Sequence, residues 1–200
     1  MTKLQDLKRG ELGVLGAGVF SILIFSIYFL KIGNNEFVWY IGVMIGFLVL
    51  LFTTLSYTKL SLTSLWGLCL WGLLHMAGGS VPVGDSVLYA WKILPLLDRG
   101  GEFFILKFDQ VVHAFGFAVA TLVMFEIIGP RWRGSRGLLS FVSFLAGMGL
   151  GALNEIVEFA AVLVFPSTGV GGYYNTGLDL VFNMLGAGLI AISLYLYGKK

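Results

Sequence analysis

Charge is scarce in this chain. Of its 200 residues, only 12% are Asp, Glu, Lys or Arg, while 58% are hydrophobic. A soluble domain carries about 25% charged residues. A water-facing coat for one domain of this length therefore cannot be assembled, and lipid must solvate most of the surface. Cysteine is almost missing: Cys69 stands alone in an apolar run. One thiol closes no internal disulfide, so redox compartment is left open. The formal net charge of +2 is too small to suggest nucleic acid as a partner. No HExxH or similar metal motif occurs, and no serine sits in a nucleophile elbow. There is no internal repeat of the kind that many transporters carry, no low-complexity tract and no coiled-coil heptad.

What is abundant is apolar length and glycine. The 28 glycines suit close helix approach in a bilayer. A span needs about 20 apolar residues, and six runs qualify: 13–30, 37–56, 60–77, 109–128, 138–165 and 177–197. The fifth is long enough to tilt or end early. The first follows Lys3, Lys8 and Arg9 as a signal peptide would. Its apolar stretch is too long for one and lacks a small-x-small cleavage site, so it reads as a retained helix. The expected fold is all-α: a single polytopic transmembrane helix bundle over residues 1–200, with about six spans.

Lys and Arg set the expected orientation. With the N-terminus inside, Lys3, Lys8, Arg9, Lys59, Arg131, Arg133, Arg136, Lys199 and Lys200 are cytoplasmic, nine of the 13 positive residues. Lys31, Lys92, Arg99 and Lys107 fall outside. Both termini are then cytoplasmic in a multi-pass protein of the plasma (inner) membrane. The long connection, residues 78–108, lies outside. Its segment Asp85–Leu94 reads either as an interfacial helix or as an irregular loop held by Pro82 and Pro95. The stretch Arg99-Gly100-Gly101-Glu102 reads as a turn.

The polar residues inside the spans fall at one depth. His75 ends the third run, Asp109 and His113 open the fourth, Glu155 and Glu158 sit late in the fifth, and Asp179 and Asn183 open the sixth. Alternate runs point in opposite directions, so all seven fall in the outer third of the bilayer. Asp109 and His113 are spaced i,i+4 and share a face. Gly147 and Gly151 precede Glu155 on its stripe, and Gly186 follows Asp179 and Asn183 on theirs. Small residues turn those faces into the bundle. Each buried acid costs about 2.5–3.5 kcal/mol at mid-span, a burden usually met by use or by pairing. Acids at helix N-termini are favoured by the dipole, which accounts for Asp109 and Asp179 but not for Glu155, Glu158 or His113. Glu126, near Arg131 and Arg133, reads as structural, and Lys92, Asp98, Arg99 and Glu102 as solvated loop charges.

Three chemistries suit this set. Imidazoles and carboxylates bind a divalent metal, with His75, His113, Glu155 and Asp179 as candidate ligands. Crowded carboxylates can hold a proton for acid–base work, with Glu155, Glu158 and Asp109 as candidates. An acidic pocket open to the outside, walled by all seven residues, suits a cationic headgroup, an amine or protons. The uncharged loop 165–176 joins two of the acid-bearing helices, and its Gly171-Gly172 and Tyr173-Tyr174 fit either a lid or an aromatic surface anchor.

These residues carry a resemblance. The HMAGG run at 75–79, DQVVH at 109–113, NEIVEF at 154–159 and YNTGLDLVFNMLGA at 174–187 resemble the YjdF-type inner-membrane proteins, within the wider VanZ-like group. The likeness covers about half the chain, mainly its last four runs. It implies a small multi-helix bacterial or archaeal membrane protein whose shared polar positions are His75, Asp109, His113, Glu155, Glu158, Asp179 and Asn183. VanZ-like members are linked to low-level glycopeptide resistance, and no molecular activity carries over. Asn175 stands where the resemblance leads one to expect an acid. The functional expectation is a protein that binds or handles a lipid or envelope component. The alternatives are an intramembrane metal-dependent lipid hydrolase and a proton-coupled small-molecule transporter.

Overall fold

A computed structural model describes residues 7–101 and 103–198. Lys3, Glu102, Lys199 and Lys200, to which the sequence assigned topology or loop roles, lie outside the described residues. The described residues form six α-helices: α1 (Arg9–Ile32), α2 (Asn35–Thr58), α3 (Leu62–Ser80), α4 (Phe108–Ile128), α5 (Arg136–Val164) and α6 (Tyr173–Tyr197). Five are long and apolar enough to cross a membrane; α3 is not among them. It is 19 residues long, and Trp66, Trp71, His75 and four glycines dilute its hydropathy. The long fifth run does not end early, since α5 is continuous over 29 residues.

The helix starts follow local chemistry. Asn34, Ser61 and Ser135 accept the backbone N–H of Phe37, Ser64 and Leu138, satisfying donors that the first turn leaves free. Gly33 closes α1 at φ 69°, the left-handed turn that glycine adopts without penalty. Large side chains such as Phe20, Ile27, Leu163 and Leu189 stay exposed on the outer helix faces, as a lipid-solvated bundle requires.

The connection between α3 and α4 departs from both sequence readings. The expected helix over Asp85–Leu94 is absent. Instead two antiparallel hairpins form: β1 (Pro82–Val83) with β2 (Ser86–Val87), and β3 (Lys92–Asp98) with β4 (Phe104–Lys107). Between them lies one 3-10 turn, Leu88–Ala90. Alternating polar and apolar residues over a segment this short fit a strand as well as a helix. Of the turn expected at 99–102, the described residues 99–101 do turn, with Gly100 and Gly101 at φ 80° and 58°. The second hairpin is tied to α4 by Gln110, which is fully buried. Its Oε1 accepts from the N–H groups of Leu106 and Lys107 at 2.7 and 3.1 Å, and its Nε2 donates to the Phe104 carbonyl at 2.8 Å. That clamp holds Leu106 at φ 86°, a left-handed conformation unusual for leucine.

Helices α4, α5 and α6 pack mutually, α1 packs on α2 and α3, and α3 bridges to α4. The closest approach is between α4 and α6, where Gly186 lies against the Ala114 backbone carbonyl with no room for a methyl group. At the hairpin end, α2 leans on α5 through a cluster of Phe29, Phe37, Tyr40, Ile41, Met76 and Ala161. At the opposite end a second cluster joins Val14, Phe52, Leu55, Leu60 and Leu65.

Candidate functional site

The hairpin end collects the chemistry-bearing residues. Helices α2 to α6 each contribute from the half nearest that end, so side chains from 36 to 183 meet there. His113, on the first turns of α4, is the hub. Its Nδ1 is 3.1 Å from Asn183 Oδ1 and 3.6 Å from Glu155 Oε1. Its Nε2 is 3.6 Å from Asp109 Oδ1 and 4.0 Å from Glu158 Oε1. The i,i+4 spacing of Asp109 and His113 stacks them on one face, and the glycine stripes bring the other helices in. A methyl on Gly151 of α5 would stand 2.9 Å from Asn183 Nδ2 on α6, so glycine is what lets that amide reach the imidazole.

A second hub is Asn175, in the first turn of α6. Its Nδ2 donates to Asp179 Oδ2 at 2.6 Å and approaches Asp109 Oδ2 at 3.4 Å, while its Oδ1 accepts from Lys107 Nζ at 2.7 Å. The resemblance had made residue 175 a doubtful position; the structure puts it at the centre, buried between two acids. An amide there replaces a charge with a donor, and the acid-for-amide departure is the signal that could have drawn attention to it. Asn154 likewise donates to Glu158 Oε1 at 2.8 Å. Three buried groups in the cluster lack full pairing: both oxygens of Glu155, Oδ1 of Asp179 and Nδ2 of Asn183 have no hydrogen-bond partner.

His75 lies apart from this hub. Its Nδ1 contacts the hydroxyl of Tyr89, from the 3-10 turn between the hairpins. Burial and the charge of Asp109 hold the Tyr89 hydroxyl well above the ordinary tyrosine range, so it stays neutral. The expected metal set of His75, His113, Glu155 and Asp179 is thus not one cluster. Among the described residues two triads have ligand atoms within 4.8 Å of one another: Asp109, His113 and Asp179, and separately His113, Glu155 and Glu158. Only His113 is shared.

A polar chamber of about 230 Å³ opens beside the cluster. Asp109, Glu158, His75 and Asn175 line it, together with Glu36, Tyr40, Tyr89 and Lys107, which sequence reasoning passed over. Glu36 was hidden at a helix start, where acids are ordinary. It accepts from the Tyr40 hydroxyl at 3.4 Å and from the Gly169 N–H at 2.8 Å. The second contact pins the 165–172 loop, so that Gly169, Val170 and Gly171 close one side of the chamber. Tyr173 and Tyr174 do not line it; they are 87% and 55% exposed. Trp91 is exposed as well. Glu126 sits at the far end, where its Oε2 accepts the Ser61 N–H at 2.9 Å, a structural role. Lys92 and Asp98 pair at 3.4 Å on the exposed hairpin.

Two further cavities continue inward from the chamber. A neck of about 40 Å³ shares Tyr40, His75 and Glu158 with the chamber. It also shares Val43, Met44, Trp71, Asn154 and Val157 with an apolar groove of about 390 Å³ between α2, α4 and α5. The groove follows α4 from Gly116 to Ile127, roughly 16 Å at the helical rise per residue. Its rim residues Val43, Leu50, Leu150 and Leu153 are exposed to the lipid side.

Comparison with known proteins assigns a family and no activity. Residues 14–200 match the family described as "Predicted membrane protein (DUF2238)". Neither a curated protein nor a solved structure matches. The chain belongs to this family of membrane proteins.

Proposed function

We propose that this membrane protein binds a lipid or lipid-linked envelope component, with the headgroup in the polar chamber and one chain in the apolar groove. The observation that carries the reading is the shared wall: chamber, neck and groove form one series through common residues, polar at one end and apolar at the other. The groove's length of roughly 16 Å is close to the hydrocarbon depth of one leaflet, about 15 Å. Its exposed rim gives a chain lateral access from the bilayer. Glu36, Asp109 and Glu158 line the chamber against the single cation Lys107, which favours an amine-bearing or hydroxyl-rich headgroup.

The positive-residue count supports placing the hairpin end, and so the chamber, on the outer side of the plasma membrane, with both termini inside. The motif likeness supports a relationship to YjdF-type and VanZ-like proteins. A transporter fits less well, because the buried titratable residues gather at one end instead of crossing the bilayer.

The test is lipid retention. Wild-type protein purified in mild detergent is compared by mass spectrometry of its bound lipids with Met124→Trp, which fills the groove wall. Leu189→Trp, on the exposed face of α6, is the control. A co-purifying lipid retained by wild type and the control but lost from Met124→Trp is the expected result. Equal retention in all three would remove the groove from the reading.

A further inference from the structure

We infer that His113, Asp109 and Asp179 form a binding site for one divalent transition cation, a site that goes beyond the lipid reading and needs only the ends of α4 and α6. The ligand atoms of the three residues lie within 4.8 Å of one another, and His113 Nε2 is 3.6 Å from Asp109 Oδ1. Atoms bound to zinc at about 2.0–2.2 Å stand roughly 3.4 Å apart across a tetrahedral angle. The pair is therefore already near the spacing that a shared metal imposes.

The surrounding amides orient the three ligands. Asn175 Nδ2 donates to Asp179 Oδ2 at 2.6 Å and to the Val170 carbonyl at 3.1 Å, and Asp109 Oδ2 stands 3.4 Å from the same nitrogen. That leaves Oδ1 of each aspartate unclaimed: Asp109 Oδ1 faces the imidazole, and Asp179 Oδ1 is fully buried with no partner. Lys107 Nζ in turn holds the Asn175 carbonyl oxygen and so fixes which way the amide donates. On the far side of the ring, Asn183 Oδ1 is placed to accept Nδ1–H at 3.1 Å. In that tautomer Nε2 turns its lone pair toward Asp109, and Glu158 Oε1 stands 4.0 Å from the same nitrogen. Acceptor thus faces acceptor, an arrangement that a cation placed between them, a metal ion or a proton, relieves. A ligating histidine that donates its other N–H to a fixed acceptor, beside ligating carboxylates that are themselves hydrogen-bonded, is the support a metal site requires. One imidazole and two carboxylates suit zinc, iron or manganese. Because Asp109 also lines the chamber, the fourth position opens toward it, as in sites that keep a place for water or substrate.

The alternative triad of His113, Glu155 and Glu158 is less well arranged. Glu155 approaches the nitrogen that Asn183 engages, and Asn154 donates to Glu158 and makes no hydrogen bond to Glu155 within 3.5 Å.

The test is zinc titration of metal-stripped, detergent-purified full-length protein, with elemental analysis of the same protein prepared without chelator. The expected result is one zinc per chain in wild type and in Glu155→Gln, and its loss in His113→Ala and Asp179→Asn. Asn175→Leu, which removes only the orienting amide, should weaken binding by about 10–100-fold. Circular dichroism and gel filtration establish folding. Should His113→Ala not fold, the near-isosteric Asp109→Asn carries the same expectation. No stoichiometric zinc in wild type overturns the proposal, as does loss in Glu155→Gln with retention in Asp179→Asn. Lipid retention in the Met124→Trp comparison is read separately, so either inference can fail alone.

Discussion

Replacing Gly186 with alanine should pull the site apart from a distance. The added methyl would run into the Ala114 backbone carbonyl of α4, which cannot rotate aside as a side chain can. Overpacking of this kind costs about 1–3 kcal/mol. Moving α6 away from α4 also strains the 3.1 Å contact between His113 and Asn183, worth about 1 kcal/mol. Helix propensity returns up to about 1 kcal/mol for Gly→Ala, so the net loss is about 2 kcal/mol. For a chain of this size each kcal/mol moves the melting temperature by about 2–4 °C, which predicts a fall of roughly 4–8 °C. Gly149→Ala is the matched control, since nothing lies within 4 Å of the added methyl there. Thermal unfolding in one detergent, followed by circular dichroism, compares the two. If Gly186→Ala melts at or above Gly149→Ala, the α4–α6 contact is not what sets the register of the site.

Gln110→Leu should leave two N–H groups and one carbonyl of the second hairpin unpaired. At about 1–3 kcal/mol for each buried orphan, the hairpin should fray, read as faster amide exchange at 104–107 with exchange in α1 unchanged. Leu106→Gly should be neutral or slightly stabilising, because relief of about 1 kcal/mol of left-handed strain at φ 86° offsets the added chain entropy. A drop of several degrees in melting temperature would contradict that. Lys107→Met should destabilise by about 1.5–3 kcal/mol, the worth of a hydrogen bond from a charged group, by freeing the Asn175 amide that joins Asp109 to Asp179. Chemical denaturation in mixed micelles measures it, and a change below half a kcal/mol would show that the amide is held without the lysine.

The bundle was legible because its cause is one-dimensional. Runs of about 20 apolar residues and a shortage of charge leave no other solvent than lipid, and the observed helices begin and end within a few residues of those runs. Common depth was legible too, since counting along antiparallel helices needs no contacts. That is why Asp109, His113, Glu155, Glu158, Asp179 and Asn183 were singled out. Which of them touch was not legible. His75 shares the depth, yet it meets Tyr89 and stays out of the ligand triads. Asn175 stood out only as an amide where an acid was expected, and Lys107 only as a positive residue on the outer side, and they became the link between two aspartates. The hairpins were missed because a ten-residue stretch of mixed polarity carries both periods. Sequence alone determined the solvent, the helices and the end at which polar groups collect, because hydropathy and chain direction decide those locally. Only the tertiary structure decided the partners, because they depend on the rotation and closeness of helices far apart in the chain, set by contacts such as Gly186 on Ala114 and Gly151 beside Asn183.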